Sequence, residues 1–241
     1  MTRWEDASDN AKYGCHILKP NGGVHSPVSA MNAIEVKDLV KDYGSFRAVK
    51  GISFDVREGE VFGLIGPNGA GKTTVFNLIS GFLKPTGGRI VWDGREITGE
   101  APHRLTDWGI ARTFQNIRLF GELSVLDNVL VGFHCRSCAT WGEAVLRLPR
   151  YRREARDRRS RGLALLEEVG LGEAADQPAG KLPYGHQRRL EIARALATGP
   201  RCLLLDEPAA GLNPQETGDL IFFIRDIKNR YDLTILVIEH N

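Results

Sequence analysis

Residues Gly66, Pro67, Asn68, Gly69, Ala70, Gly71, Lys72 and Thr73 spell GPNGAGKT and fit the pattern GxxxxGK[ST]. That pattern needs an apolar strand running in and an apolar-faced helix running out. Both flanks comply. Val61 to Ile65 (VFGLI) reads as a strand, and Thr73 to Leu83 places Val75, Phe76, Ile79, Phe82 and Leu83 on one helical face before Lys84 and Pro85 close it. The glycines let successive N–H groups turn inward around a phosphate, and the helix N-terminus adds the positive end of its dipole. Lys72 then bridges the β- and γ-phosphates while Thr73 ligates Mg2+. A plain glycine turn is the ordinary alternative, and the flanking elements weigh against it.

A second feature completes the first. The apolar run Cys202 to Leu205 delivers Asp206 and Glu207 side by side at its C-terminal end. Adjacent carboxylates after a buried strand repel each other unless a cation is near or each has its own task. Asp206 suits the Mg2+ shell and Glu207 suits polarising an attacking water. Leu233 to Ile238 is a third apolar strand and runs into Glu239 and His240. Strand-like text also occupies 33–43, 51–66 and 88–94, each stretch alternating and bounded by glycine or aspartate. The alternation of strand and helix after about residue 180 predicts an α/β fold, a parallel sheet covered by helices, whose ligands gather at the carboxyl edge of its strands.

The 241 residues suffice for one large α/β domain, and a net charge of +2 exerts no global pull on nucleic acid. No apolar run approaches the roughly 18 residues that span a bilayer. Residues 1–31 show no periodicity and read as a disordered leader, with Met31 a candidate start. Cys135 and Cys138 have the spacing of half a zinc site beside His134, but no second pair accompanies them, so free thiols are the better reading.

With these pieces assembled, the chain from about Ile34 to His240 resembles the nucleotide-binding subunits of ATP-binding-cassette transporters. Gly66–Thr74, including Thr74, matches the first Walker motif and Leu203–Glu207 the second. The resemblance implies a P-loop NTPase (RecA-like) core sheet with an antiparallel β subdomain and a helical subdomain inserted over about 116–185. It also implies roles. Tyr43 stacks on the adenine of ATP, Gln115 senses Mg2+ and links to the membrane partner, and His240 contacts the γ-phosphate as the switch histidine. Ala209–Asn213 is the loop that touches the opposite subunit. Leu182–Gln187 (LPYGHQ) stands where the family signature, usually LSGGQ, lies. There the helix start carrying Tyr184, Gly185 and His186 points at the γ-phosphate held by a second cassette. Pro183, Tyr184 and His186 depart from the usual spelling, and the lost serine hydroxyl weakens that contact.

The wording around the signature and around "IARTFQNIRLF" resembles one branch in particular, the ATPase subunits of branched-chain amino-acid importers and their amide or urea relatives. The implied partners are transmembrane permease subunits, a second ATPase subunit (a sister chain in that branch) and, indirectly, a periplasmic solute-binding protein. The implied location is peripheral, on the cytoplasmic face of the inner membrane. ATPases of lipopolysaccharide exporters are similar enough to remain an alternative. So does a catalytically impaired fragment, since the family continues past the switch histidine while this sequence stops at Asn241 and reads as truncated. Eight arginines over 147–161 read as a solvated or membrane-side face rather than a nucleic-acid site.

Overall fold

The computed structural model describes residues 32–135 and 149–239. The expected leader, Cys138 of the cysteine pair, and His240 lie outside them. An antiparallel sheet is built from β1 (Asn32–Tyr43), β2 (Phe46–Arg57), β4 (Gly87–Trp92) and β5 (Arg95–Glu96), in the order β2-β1-β4-β5. A parallel sheet is built from β3 (Val61–Ile65), β6 (Ile110–Arg112), β7 (Cys202–Asp206) and β8 (Thr234–Glu239), in the order β3-β8-β7-β6.

The alternating text over 51–66 is not one strand. The chain divides it between the two sheets at Gly59, which takes the left-handed conformation with φ 69°. Glu60 fixes the break, its carboxylate accepting from the Arg57 N–H at 2.9 Å and its carbonyl from the Ile235 N–H at 2.8 Å. The turn aims β3 into the parallel sheet, pointing the glycine loop at the site.

Helix α1 (Lys72–Ile79) is shorter than its periodicity predicts. Gly81, with φ 74°, ends it, and a Cβ at that position would lie 2.3 Å from the Glu100 carbonyl oxygen. Gly81→Ala is therefore expected to cost more than about 1 kcal/mol of stability. The measurement is a lowered denaturant midpoint at unchanged slope.

Strand β7 is buried throughout and sorts its side chains between two cores. Leu203 and Leu205 face one core, shared with Leu190 and Ile192 of α5 (Tyr184–Leu196) and Leu220 and Phe223 of α6 (Pro214–Tyr231). Cys202 and Leu204 face the other, with Phe76 and Leu78 of α1 and Ile34, Val36 and Ile90 of the antiparallel sheet. A strand covered on both faces carries such a continuous apolar run. Burial pushes the Cys202 thiol up to about 12, as suits an inert core cysteine. Edge strand β3 departs from the expected double covering. Phe62 and Leu64 pack inward, while Val61 and Ile65 are 51% and 70% exposed.

Helices α3 (Val125–His134) and α4 (Pro149–Glu168) extend the first core. The close approach of α3 to α5 requires Gly132, where a Cβ would sit 2.4 Å from the Arg194 carbonyl oxygen. Helix α4 buries only Gly162, Leu165 and Leu166, and Arg150, Arg152, Arg153, Arg156, Arg159 and Arg161 are exposed along it.

Candidate functional site

The parallel register brings three strand ends level. Ile65 pairs with Glu239 across β3 and β8, and Asp206 pairs with Ile238 across β7 and β8. The glycine loop leaves β3 and the carboxylate pair leaves β7. Both therefore meet at the edge where open parallel sheets hold ligands.

The loop is built for close approach. Gly69 and Gly71 have φ of 82° and 85°, and a Cβ on Gly71 would lie 2.8 Å from the Ala48 carbonyl oxygen. Lys72 is 9% exposed, and its ammonium donates to the carbonyls of Gly66 and Pro67, the latter at 3.0 Å. It is folded over the cradle a phosphate would enter. Helix α1 has no side-chain cap and no acid in its first turn, so its positive end stays uncompensated. Tyr43 is 46% exposed at the end of β1 and pairs with Phe46, two residues before the Ala48 that the loop touches. The Lys41 ammonium stands over the Tyr43 ring, 5.2 Å from its centroid.

The carboxylates have different surroundings. Asp206 is 2% exposed; its Oδ2 accepts from the Arg112 guanidinium at 2.8 Å, and its Oδ1 is buried with no hydrogen-bond partner. Glu207 is 6% exposed, accepts from the Gln115 amide at 2.8 Å and holds a left-handed φ of 46°. Such strain in a non-glycine residue persists where surrounding structure enforces it, commonly at working sites. A cleft of about 330 Å³ opens beside the pair, lined by Asn77, Phe82, Arg112, Phe114, Gln115 and Asp206 among others.

These groups fit Mg2+. Asp206 offers a buried carboxylate oxygen without a partner, a costly arrangement unless a cation or its water meets it. Asp206, the Thr73 hydroxyl and the Gln115 carbonyl are hard oxygen donors of the kind Mg2+ takes.

Helix α5 opens as its sequence predicts. Pro183 stands at the N-cap, no side chain caps the helix, and its first turn holds no acid. Tyr184 and His186 are exposed there. The Tyr184 hydroxyl donates to the Ala210 carbonyl at 3.3 Å, and its ring would meet a Cβ on Gly211 at 3.3 Å. The tyrosine in place of the usual signature glycine therefore rests on the Ala209–Asn213 loop of its own chain. Gly185 faces Glu216, whose carboxylate a Cβ would meet at 3.7 Å.

A buried ion pair that the sequence reading overlooked joins this helix to the glutamine loop. Arg188 and Glu191, with side chains 0% and 1% exposed, pair at 2.7 Å. Arg188 donates to the carbonyls of Phe114 and Gln115, both at 2.8 Å, and Glu191 accepts from the N–H groups of Phe114 and Arg118. Burial pushes the Glu191 carboxyl above its ordinary range, and Arg188 pulls it back. The signal was legible: Arg188 shares a helical face with apolar Ile192 and Ala195. Arg112 was missed likewise, as the one charge in the short strand β6.

A family model described as ABC transporter matches residues 49–210. The high-affinity branched-chain amino acid transport ATP-binding protein BraF of Pseudomonas aeruginosa is 47% identical over 208 residues, which span 86% of this chain and 82% of that protein. Its counterpart LivG of Escherichia coli is 43% identical over the same shares. Among solved structures, a nucleotide-free ATP-binding cassette from an ABC transporter aligns with a TM-score of 0.75 and 34% identity, covering 88% of this chain and 82% of its own. A dimeric cassette in a post-hydrolysis state, bound to ADP and Pi, aligns with a TM-score of 0.69 and 28% identity, covering 86% and 88%.

Proposed function

The chain belongs to the ABC transporter family as an ATP-binding and ATP-hydrolysing subunit, and from that premise we propose that it drives import of branched-chain amino acids, or of related amides or urea, through membrane permease subunits. The solute class rests on the 43–47% identity to ATP-binding proteins of branched-chain amino acid transport. No helix among the described residues is long and apolar enough to cross a membrane. The subunit works peripherally, at the cytoplasmic face, through its permease.

One observation supports the site assignment above the others. Lys72 with its glycine cradle, the partnerless Asp206 oxygen and the Gln115–Glu207 contact follow the ends of β3, β7 and β6, strands of one parallel sheet in which only β8 stands between β3 and β7. In this reading the adenine stacks on Tyr43 and the phosphates enter the Gly66–Thr74 loop. Lys72 exchanges the Gly66 and Pro67 carbonyls for β- and γ-phosphate oxygens. Thr73, Asp206 and Gln115 would hold Mg2+, which when bound would offset negative charge on the phosphates. Glu207 orients the attacking water and accepts its proton, while the Gln115 amide holds one of its two carboxylate oxygens. His240, following β8, contacts the γ-phosphate. A second cassette, a sister chain in this proposal, presents its own signature helix start to close the site. Catalysis is then mostly positioning and charge stabilisation.

Lys72→Ala removes the one cation within the loop. It is expected to weaken ATP binding about 100-fold or more, because the loop loses a charge-assisted contact to a desolvated phosphate. Calorimetry on the full chain measures this. Undiminished affinity would contradict the loop assignment.

A further inference from the structure

Arg112 has no role in the mechanism above, yet few side chains in the molecule are held as firmly. Its side chain is 8% exposed, and one guanidinium nitrogen donates to Asp206 Oδ2 at 2.8 Å. The other terminal nitrogen donates to Asn77 Oδ1 at 2.7 Å and to Ser80 Oγ at 2.6 Å. Asn77 lies in α1 and Ser80 caps its end. The guanidinium therefore spans from the strand that carries Asp206 to the helix that begins with Lys72 and Thr73. Three aromatic rings enclose it, Phe76, Phe82 and Phe114, with centroids 5.7, 5.4 and 5.3 Å away. They flank the guanidinium where it borders the cleft beside Asp206.

Asp206 needs such a partner. A carboxylate at 2% exposure is costly to bury without a charged, hydrogen-bonding partner. Arg112 supplies that charge while engaging one oxygen and leaving Oδ1 without a partner. The division of labour is that of a metal ligand and its outer partner: one oxygen is fixed by the protein, the other is left for the metal or its water.

We propose that Arg112 is a positioning residue for the divalent metal, orienting Asp206 and fixing its place relative to the Lys72–Thr73 helix start. The inference rests on the proposed placement of Asp206 in the Mg2+ shell and adds what holds it there. It also separates two functions of the site. Lys72 and the loop bind phosphate, whereas Arg112 acts only on the metal.

The test measures metal affinity rather than turnover. Full-length protein in excess over ATP is titrated with Mn2+, and free Mn2+ is read by electron spin resonance. Metal-free ATP affinity is measured in parallel in EDTA. Arg112→Met keeps the length of the stem and removes the fork. It is expected to weaken Mn2+ binding about ten-fold or more while ATP affinity in EDTA stays within about two-fold, since loss of an outer partner typically costs 10–100-fold in metal affinity. Arg112→Lys retains a charge but cannot reach both Asp206 and α1 in a planar fork. It should still weaken Mn2+ binding by about three-fold or more, and it decides the matter if the methionine variant does not fold. Mn2+ affinity near wild type in these variants overturns the proposal. So does a parallel loss of metal-free ATP binding, which would mark a general collapse of the site. Asp206→Asn separates the two layers. If it leaves Mn2+ affinity unchanged, the metal assignment itself fails; if it weakens Mn2+ while Arg112→Met does not, only the role of Arg112 falls.

Discussion

ATP turnover by a Glu207→Gln chain is expected to fall by about 10²- to 10⁴-fold, the range for loss of a positioned general base. ATP affinity should remain near that of the unmodified protein. The separation follows from where Glu207 sits. Its N–H donates to the Ile238 carbonyl at 3.1 Å, and its side chain accepts from the Gln115 amide. The residue thus follows the end of β7 and lies outside the Gly66–Thr74 segment that forms the phosphate cradle. Glutamine preserves size and removes the proton acceptor. In the assembled pair of cassettes, ATP that binds but is not consumed should accumulate a closed state. Size-exclusion with light scattering detects the stalled assembly, and a phosphate-release assay detects the lost turnover. Rapid turnover by the variant would refute the assignment of the base.

The second large effect concerns stability. Arg188→Met leaves the Glu191 carboxylate buried beside the Phe114 and Arg118 N–H groups without its cation. Breaking one side of a buried pair costs about 3–5 kcal/mol. The same substitution frees the Phe114 and Gln115 carbonyls that Arg188 now holds, so the glutamine loop should loosen along with the helix. Arg188→Met combined with Glu191→Gln removes both charges and should cost less than Arg188→Met alone. Denaturant unfolding of the three variants and the parent gives the coupling. Simple additivity would mean that the pair contributes nothing through its contact. The pair joins the signature helix to the loop that carries Gln115, two elements that face different partners in the proposed assembly. A loosened pair should therefore lower turnover even in molecules that remain folded.

Much of the site was legible in the sequence because its parts are local. The glycine loop needs only consecutive residues, and φ near 80° at Gly69 and Gly71 follows from the motif. The carboxylate pair is read from one buried strand and its end. Helix boundaries were less legible. Nothing in the apolar periodicity of Thr73–Leu83 announces that Gly81 must abut the Glu100 carbonyl, because that contact comes from a distant segment. The short elements β5, β6 and α2 (Pro102–Asp107) carry too few residues to show a period and were not foreseen. Arg112 and the Arg188–Glu191 pair escaped for a related reason. The helical face of Arg188 hinted at burial, but the partners 94 and 73 or more positions away that hold these charges are brought together only by the fold.

The central claim is that ATP occupies the Gly66–Thr74 loop at the sheet's carboxyl edge and that a second cassette's signature helix closes over it. Hydrogen–deuterium exchange on the assembled Glu207→Gln protein, with and without Mg2+ and ATP, tests both halves at once. The account predicts slowed amide exchange over Gly69–Thr74 and, in the same sample, over Tyr184–Gln187. Exchange at Gly69–Thr74 that is indifferent to ATP would contradict it.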